Sequence, residues 1–168
     1  MGRMKQVKRI RLFIVISFIV LSGTAFIPRM SFAEKDSGKS FEEYLSLAKQ
    51  GDAEAQLHLG NMYKKGKGVP KDYKEAVRWY RKAAEQGYVR TQYTLGVMYR
   101  DGEGVPKDLV ASYAWLNISA AQGYKDFLDE VRASELRDRV AKKLPAAALA
   151  IAQELSMEYY KKYVEPFQ

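Results

Sequence analysis

Gly66-Lys67-Gly68-Val69-Pro70-Lys71-Asp72 returns as Gly102-Glu103-Gly104-Val105-Pro106-Lys107-Asp108, 36 residues further along the chain. Aligned on these blocks, 52–87 pairs with 88–123 without a gap, and 15 of the 36 positions are identical. Gln56/Gln92, Leu59/Leu95, Gly60/Gly96, Met62/Met98 and Tyr63/Tyr99 precede the block. Trp79/Trp115, Ala84/Ala120, Gln86/Gln122 and Gly87/Gly123 follow it. A fixed period of about 20–50 residues marks a chain made of stacked copies of one supersecondary unit.

Each unit reads as helix, loop, helix. Ala55, Leu59, Met62 and Tyr63 recur at spacings of three and four, which places them on one face of a helix over Ala53–Lys64. Asp52 is its expected N-cap, and Gly66 its expected left-handed terminus. Pro70 lacks the amide a helix needs and pushes Val69 towards an extended backbone. Asp72 is expected to cap the second helix, with Glu75 completing a capping box. That helix carries Ala76, Trp79, Tyr80 and Ala83, and Gly87 closes it. Gly60 lies in mid-helix, where glycine costs about 1 kcal/mol relative to alanine. Its return as Gly96 points to a close approach between helices. Trp79 and Trp115 are expected in the core, where they remove a large apolar area from water.

Outside the two units the pattern frays. In 40–51, Tyr44, Ala48, Gln50 and Gly51 align with Tyr80, Ala84, Gln86 and Gly87, so the array starts with a capping half-repeat, with Ser40 and Glu43 as its capping box. Beyond Gly123, 124–144 reads as a charged amphipathic helix carrying Phe127, Leu128, Val131, Leu136 and Val140. Pro145 stops it, and an alanine-rich helix over 146–164 ends in Tyr159, Tyr160 and Tyr163. The expected fold is all-α: an α/α solenoid of about seven helices, with repeats at 52–87 and 88–123 and capping helices in 124–168 that supply the burial two units alone lack.

Charge and hydropathy set the N-terminus apart. The chain of 168 residues has a formal charge of +8, but 1–33 holds six basic residues and no acid, leaving 22 basic and 20 acidic residues in 34–168. A near-neutral remainder gives no reason to expect nucleic acid. Residues 1–11 are basic, 12–27 are mostly apolar, and Ser31-Phe32-Ala33 places small residues where a signal peptidase cuts. The expectation is a signal peptide over 1–33, cleavage at Ala33, a polar flexible leader at 34–39, and a periplasmic or secreted protein. The alternative is an uncleaved membrane anchor, for which the apolar run is short against the roughly 20 residues of a spanning helix.

Residues that could carry chemistry are sparse. There is no cysteine and one histidine, His58, so neither a disulfide nor a clustered metal site is expected. His58 has no marked nucleophile or orienting acid, and no catalytic residue or cofactor is expected. Ser46-Leu47-Ala48-Lys49 matches S-x-x-K without the companion motifs of penicillin-binding enzymes. Gly66-x-Gly68 lacks the third glycine or the lysine of a phosphate loop. Asn117-Ile118-Ser119 is a sequon inside an expected helix. Lys64, Lys65, Lys67, Lys71 and Lys74 gather near the first loop and read as a solvated face, while the mixed signs of 100–107 interrupt any basic stripe.

The pattern A-x-A-Q-x-x-L-G-x-x-Y, G-x-G-V-P-K-D and A-x-x-W-Y-x-K-A-A-E-Q-G, met over Ala53–Gly87, resembles the Sel1-like repeat, a relative of the tetratricopeptide repeat. The second unit departs from it at Thr91, Ser112, Leu116 and Ser119. Arg132–Leu144 and Ala152-Gln153-Glu154-Leu155 resemble the helices that follow the last repeat in bacterial members. The resemblance implies a non-enzymatic scaffold that takes a protein or peptide partner on the concave side, lined by the first helix of each unit. Gln56, His58, Asn61, Tyr93, Val97 and Arg100 are the candidate contacts. A cell-wall-associated enzyme and a regulatory or inhibitory subunit with a single partner are the alternative functions.

Overall fold

The structure is a computed structural model that describes residues 39–122 and 127–168. The expected signal peptide, its cleavage site, all but Lys39 of the leader, and the start of the 124–144 helix lie outside the described residues. Seven α-helices and no strand occur among the described residues: α1 (Phe41–Lys49), α2 (Ala53–Lys65), α3 (Tyr73–Glu85), α4 (Val89–Asp101), α5 (Leu109–Ala121), α6 (Phe127–Ala141) and α7 (Ala146–Tyr163). A 3-10 turn, Glu165–Phe167, closes the chain. None of the described helices is long and apolar enough to cross a membrane.

The period is kept to the residue. α2 and α4 are 13 residues long and start 36 residues apart, as do α3 and α5. The loop explains why. Gly66 and Gly102 end their helices at φ 70° and 76°, a left-handed conformation that a Cβ disfavours. The amide of Asp72 then donates to the Tyr63 carbonyl, and that of Asp108 to the Tyr99 carbonyl, each at 2.9 Å. Each aspartate carboxylate accepts two amides of the next helix, from Lys74 and Glu75 or from Val110 and Ala111. The expected reciprocal capping box at Asp72 is therefore absent. Its amide is taken by Tyr63, and Glu75 turns outward to Arg78 at 2.6 Å. At Ser40 both halves of the box form.

Consecutive helices pack side by side from α1 to α5, and α6 and α7 then both lie against α5. Within a unit the close approach occurs at the mid-helix glycines. A Cβ on Gly60 would run into the Tyr80 ring, and one on Gly96 would lie 2.6 Å from Leu116 Cγ. Ser112 and Ser119, where the first unit has alanine, are fully buried and donate to the carbonyls of Gly96 and Val89 on α4. The departures from the repeat thus become inter-helix bonds.

α5 has no solvent face of ordinary width, since every residue from Ala111 to Leu116 is buried. Trp115, 3 % exposed, is covered by Tyr159 and Tyr163 of α7 with ring centroids at 4.7 and 5.7 Å. Leu136 and Val140 of α6 pack with Tyr113 and Leu116. Asn117 ties both terminal helices to α5: its Nδ2 donates to Ser156 Oγ, and its Oδ1 accepts from Arg137. Trp79 lies in a separate cluster with Ala48, Ala55 and Leu59, against residues of α1.

Candidate functional site

Three helices, α2, α4 and α6, contribute to one face of the array. Along α4, Arg90, Tyr93, Thr94, Val97 and Arg100 follow one another at helical spacing. Along α6, Arg132, Leu136, Arg139 and Lys143 do the same. Two depressions lie on this face. The first, about 330 Å³, is lined by Asn61, Lys64, Lys65, Tyr80, Arg90, Tyr93, Thr94 and Arg132. The second, about 370 Å³, is lined by Arg100, Leu136, Arg139, Val140, Lys142 and Lys143.

The first depression is organised around Tyr80. Gly60 leaves room for its ring, which is fully buried, while its hydroxyl donates to Asn61 Oδ1 at 2.9 Å. Burial, reinforced by the nearby Glu103 carboxylate, pushes the Tyr80 hydroxyl well above the usual tyrosine range, so it is a neutral donor. Glu103 reaches across from the second loop to Lys64 at 3.3 Å. In the second unit the same two positions hold Leu116 and Val97, an apolar pair in place of the Tyr80–Asn61 pair.

Of the six expected contacts, Asn61 and Tyr93 line the first depression and Arg100 the second. Arg100 is held by a double hydrogen bond to Asp101, both contacts at 2.7 Å, and this pairing holds the Asp101 carboxyl below the usual range. His58 sits apart from these three. It stacks on Tyr44 of α1, with centroids 4.6 Å apart, and lies 3.9 Å from Glu54. Val97 is half-buried and packs into the cluster of Leu116 and Leu136.

Gln56 is not a surface contact, because it is 3 % exposed and fully engaged. Its Nε2 donates to the Ala48 carbonyl of α1, and its Oε1 accepts from Gln86 at the end of α3. Gln92 repeats this arrangement between Ala84 and Gln122. The glutamines are the staples of the stack, which is why they recur in both units.

The sequence reading assigned Lys64 and Lys65 to solvent and left Arg90 and the α6 cations aside. Arg90 could have been found by following the Tyr93, Val97, Arg100 stripe one turn back. The α6 residues could not, since nothing in the sequence says that α6 lies beside α4. Among the described residues, no group of three His, Asp or Glu side chains is placed to hold a metal ion.

The Sel1 repeat family matches residues 53–88 and 89–124. Among solved structures, a protective antigen present in uropathogenic Escherichia coli strains and displaying an SLR fold is similar over 76 % of this chain, with 37 % identity and a TM-score of 0.70. A Sel1 repeat protein from Oxalobacter formigenes matches 49 % of the chain with 38 % identity and a TM-score of 0.49. The chain spans 26 % of the first of these proteins and 63 % of the second. None of the curated proteins compared matches it.

Proposed function

The chain is a Sel1-repeat protein, and on that premise we propose that it is a non-enzymatic adaptor of the bacterial cell envelope, binding a protein or peptide partner on the face made by α2, α4 and α6. Folds of this kind serve in general as scaffolds for protein–protein contacts. The observation that carries the reading here is the contrast between two surfaces of the same helices. The seams between successive helices are filled by the glutamine staples and the core clusters, whereas the α2–α4–α6 face keeps two depressions with polar rims. A groove between parallel helix rows suits an extended segment of a partner.

The envelope assignment rests on the N-terminal order of basic, apolar and small residues over 1–33. A structural relative described as a protective antigen is in keeping with it. The test is crosslinking in living cells with tagged full-length protein, followed by mass spectrometry of the envelope fraction. The expected result is one or a few enriched protein partners, lost when Asn61 and Tyr93 are replaced together. An envelope fraction with no enriched protein partner would overturn the adaptor reading.

A further inference from the structure

The two depressions share an electrostatic character that the overall composition does not predict. Residues 34–168 hold 22 basic and 20 acidic residues, yet eight cations and no carboxylate line the two depressions among the described residues. Two of the eight are compensated from the rim, Lys64 by Glu103 and Arg100 by Asp101. Lys65, Arg90, Arg139, Lys142 and Lys143 have no carboxylate partner among the described residues. Within the first depression Asn61 uses its oxygen on Tyr80, which leaves its amide N–H groups directed at no described acceptor.

Most of the cations on the outer side of α3 are engaged. The outer side of α3 also carries Lys74, Arg78, Arg81 and Lys82 around a depression of about 470 Å³. There Arg78 is bonded to Glu75, Arg81 donates to the Tyr99 hydroxyl, and Lys82 lies 4.5 Å above the Trp79 ring. Glu85 is part of the lining. Among the described residues, the α2–α4–α6 face gathers several cations without a carboxylate partner around recessed space.

Building on the adaptor reading, we propose that this face is a receptor for an acidic peptide segment, whose carboxylates meet Lys65 and Arg90 at one end and Arg139 and Lys143 at the other. The dimensions set the length of that segment. Arg90 to Arg100 on α4 spans about 15 Å at about 1.5 Å per residue. An extended peptide rises about 3.3 Å per residue, so about five residues cover the face. The cations rim depressions between helices, into which an extended chain fits. Opposite charge across such a groove speeds encounter and sets register.

The test is fluorescence anisotropy with the full chain and three labelled hexapeptides: alternating Glu and Asp, the matching Gln and Asn peptide, and a Lys peptide. The acidic hexamer is expected to bind, the other two to stay free, and binding to weaken between about 50 and about 300 mM salt. Lys65→Glu with Arg90→Glu, and separately Arg139→Glu with Lys143→Glu, should each weaken it about tenfold or more. Arg78→Glu with Lys82→Glu, on the outer side of α3, should change it less than about twofold. Thermal melts accompany every variant, and a reversal that unfolds is replaced by the glutamine pair. Equal binding of the acidic and amide peptides, or equal loss from the α3 reversal, would overturn the proposal. So would binding of phosphatidylglycerol vesicles through Lys65 and Arg90 without binding of the hexamer, which would make the face a lipid site. A partner captured in cells equally well by wild type and by the Lys65/Arg90 reversal would leave the adaptor reading standing and remove this one.

Discussion

Gln92 holds three helices with one side chain. Its Nε2 donates to the Ala84 carbonyl of α3 at 3.2 Å, and its Oε1 receives the amide of Gln122 just past α5. Replacing it with leucine removes both bonds, leaving the Ala84 carbonyl only the Gly87 amide and the Gln122 amide only the Ile118 carbonyl. Gln92→Leu should therefore cost about 1–3 kcal/mol, read as a lower denaturant midpoint at unchanged slope. An unchanged midpoint would mean the staple is dispensable. The recurrence of this glutamine is plain in the sequence, but its role is not. A polar side chain on a helix is assigned to solvent or ligand by default, and its partners sit 8 and 30 residues away. Tyr80 makes a second prediction at this scale. Burial raises its hydroxyl in the folded state, and Tyr159 is raised for the same leading reason. Their neutral forms are favoured by folding, so this stability is whole below the unfolded tyrosine range near about pH 10 and is lost as pH rises above it. Denaturant midpoints should fall between about pH 9 and about pH 11, and less steeply in Tyr80→Phe. A Tyr80→Phe slope equal to wild type would refute the assignment to Tyr80.

At the scale of the element, each unit depends on how closely its two helices approach. Gly96 lies 2.6 Å, measured from an added Cβ, from the Leu116 side chain and 3.2 Å from the Ser112 carbonyl. Alanine normally favours a helix over glycine by about 1 kcal/mol. Here the overpacking outweighs that gain, and Gly96→Ala should destabilise by about 1–3 kcal/mol in thermal or denaturant unfolding. A stabilised Gly96→Ala would show that the helices separate freely. The helices, their loops and the tight packing were legible, because glycine and proline act through local sterics that need no knowledge of the rest of the chain. The pairing of Asn61 with Tyr80, and its exchange for Val97 with Leu116, was not legible as a pair. Nineteen residues separate the two partners, and only the folded unit joins them.

For the whole molecule, the decisive feature is the way α5 is enclosed. α4, α6 and α7 all pack on it, and the α7 tyrosines cover Trp115. Removing 145–168 uncovers that ring and takes away the Ser156 partner of Asn117. The truncated chain should melt at least about 10 °C lower, and an unaltered melt would show that α7 is ornamental. Sequence periodicity located the two terminal helices and their apolar residues. It could not say that both lie against α5, since neither carries the repeat that fixes the others. For the same reason it missed the cations that α6 brings beside α4.

The stapled junction also makes the array extensible. Each staple uses a carbonyl near the end of one unit and two glutamines of the next, so an added 36-residue copy between Gly87 and Tyr88 would bring its own complete set. Neither the opening half-repeat nor the α5 enclosure would have to change. Each copy would widen the row of first helices by roughly two helix spacings, about 8–10 Å apiece. Duplication of this segment would thus lengthen the proposed peptide site while leaving both ends of the array as they are.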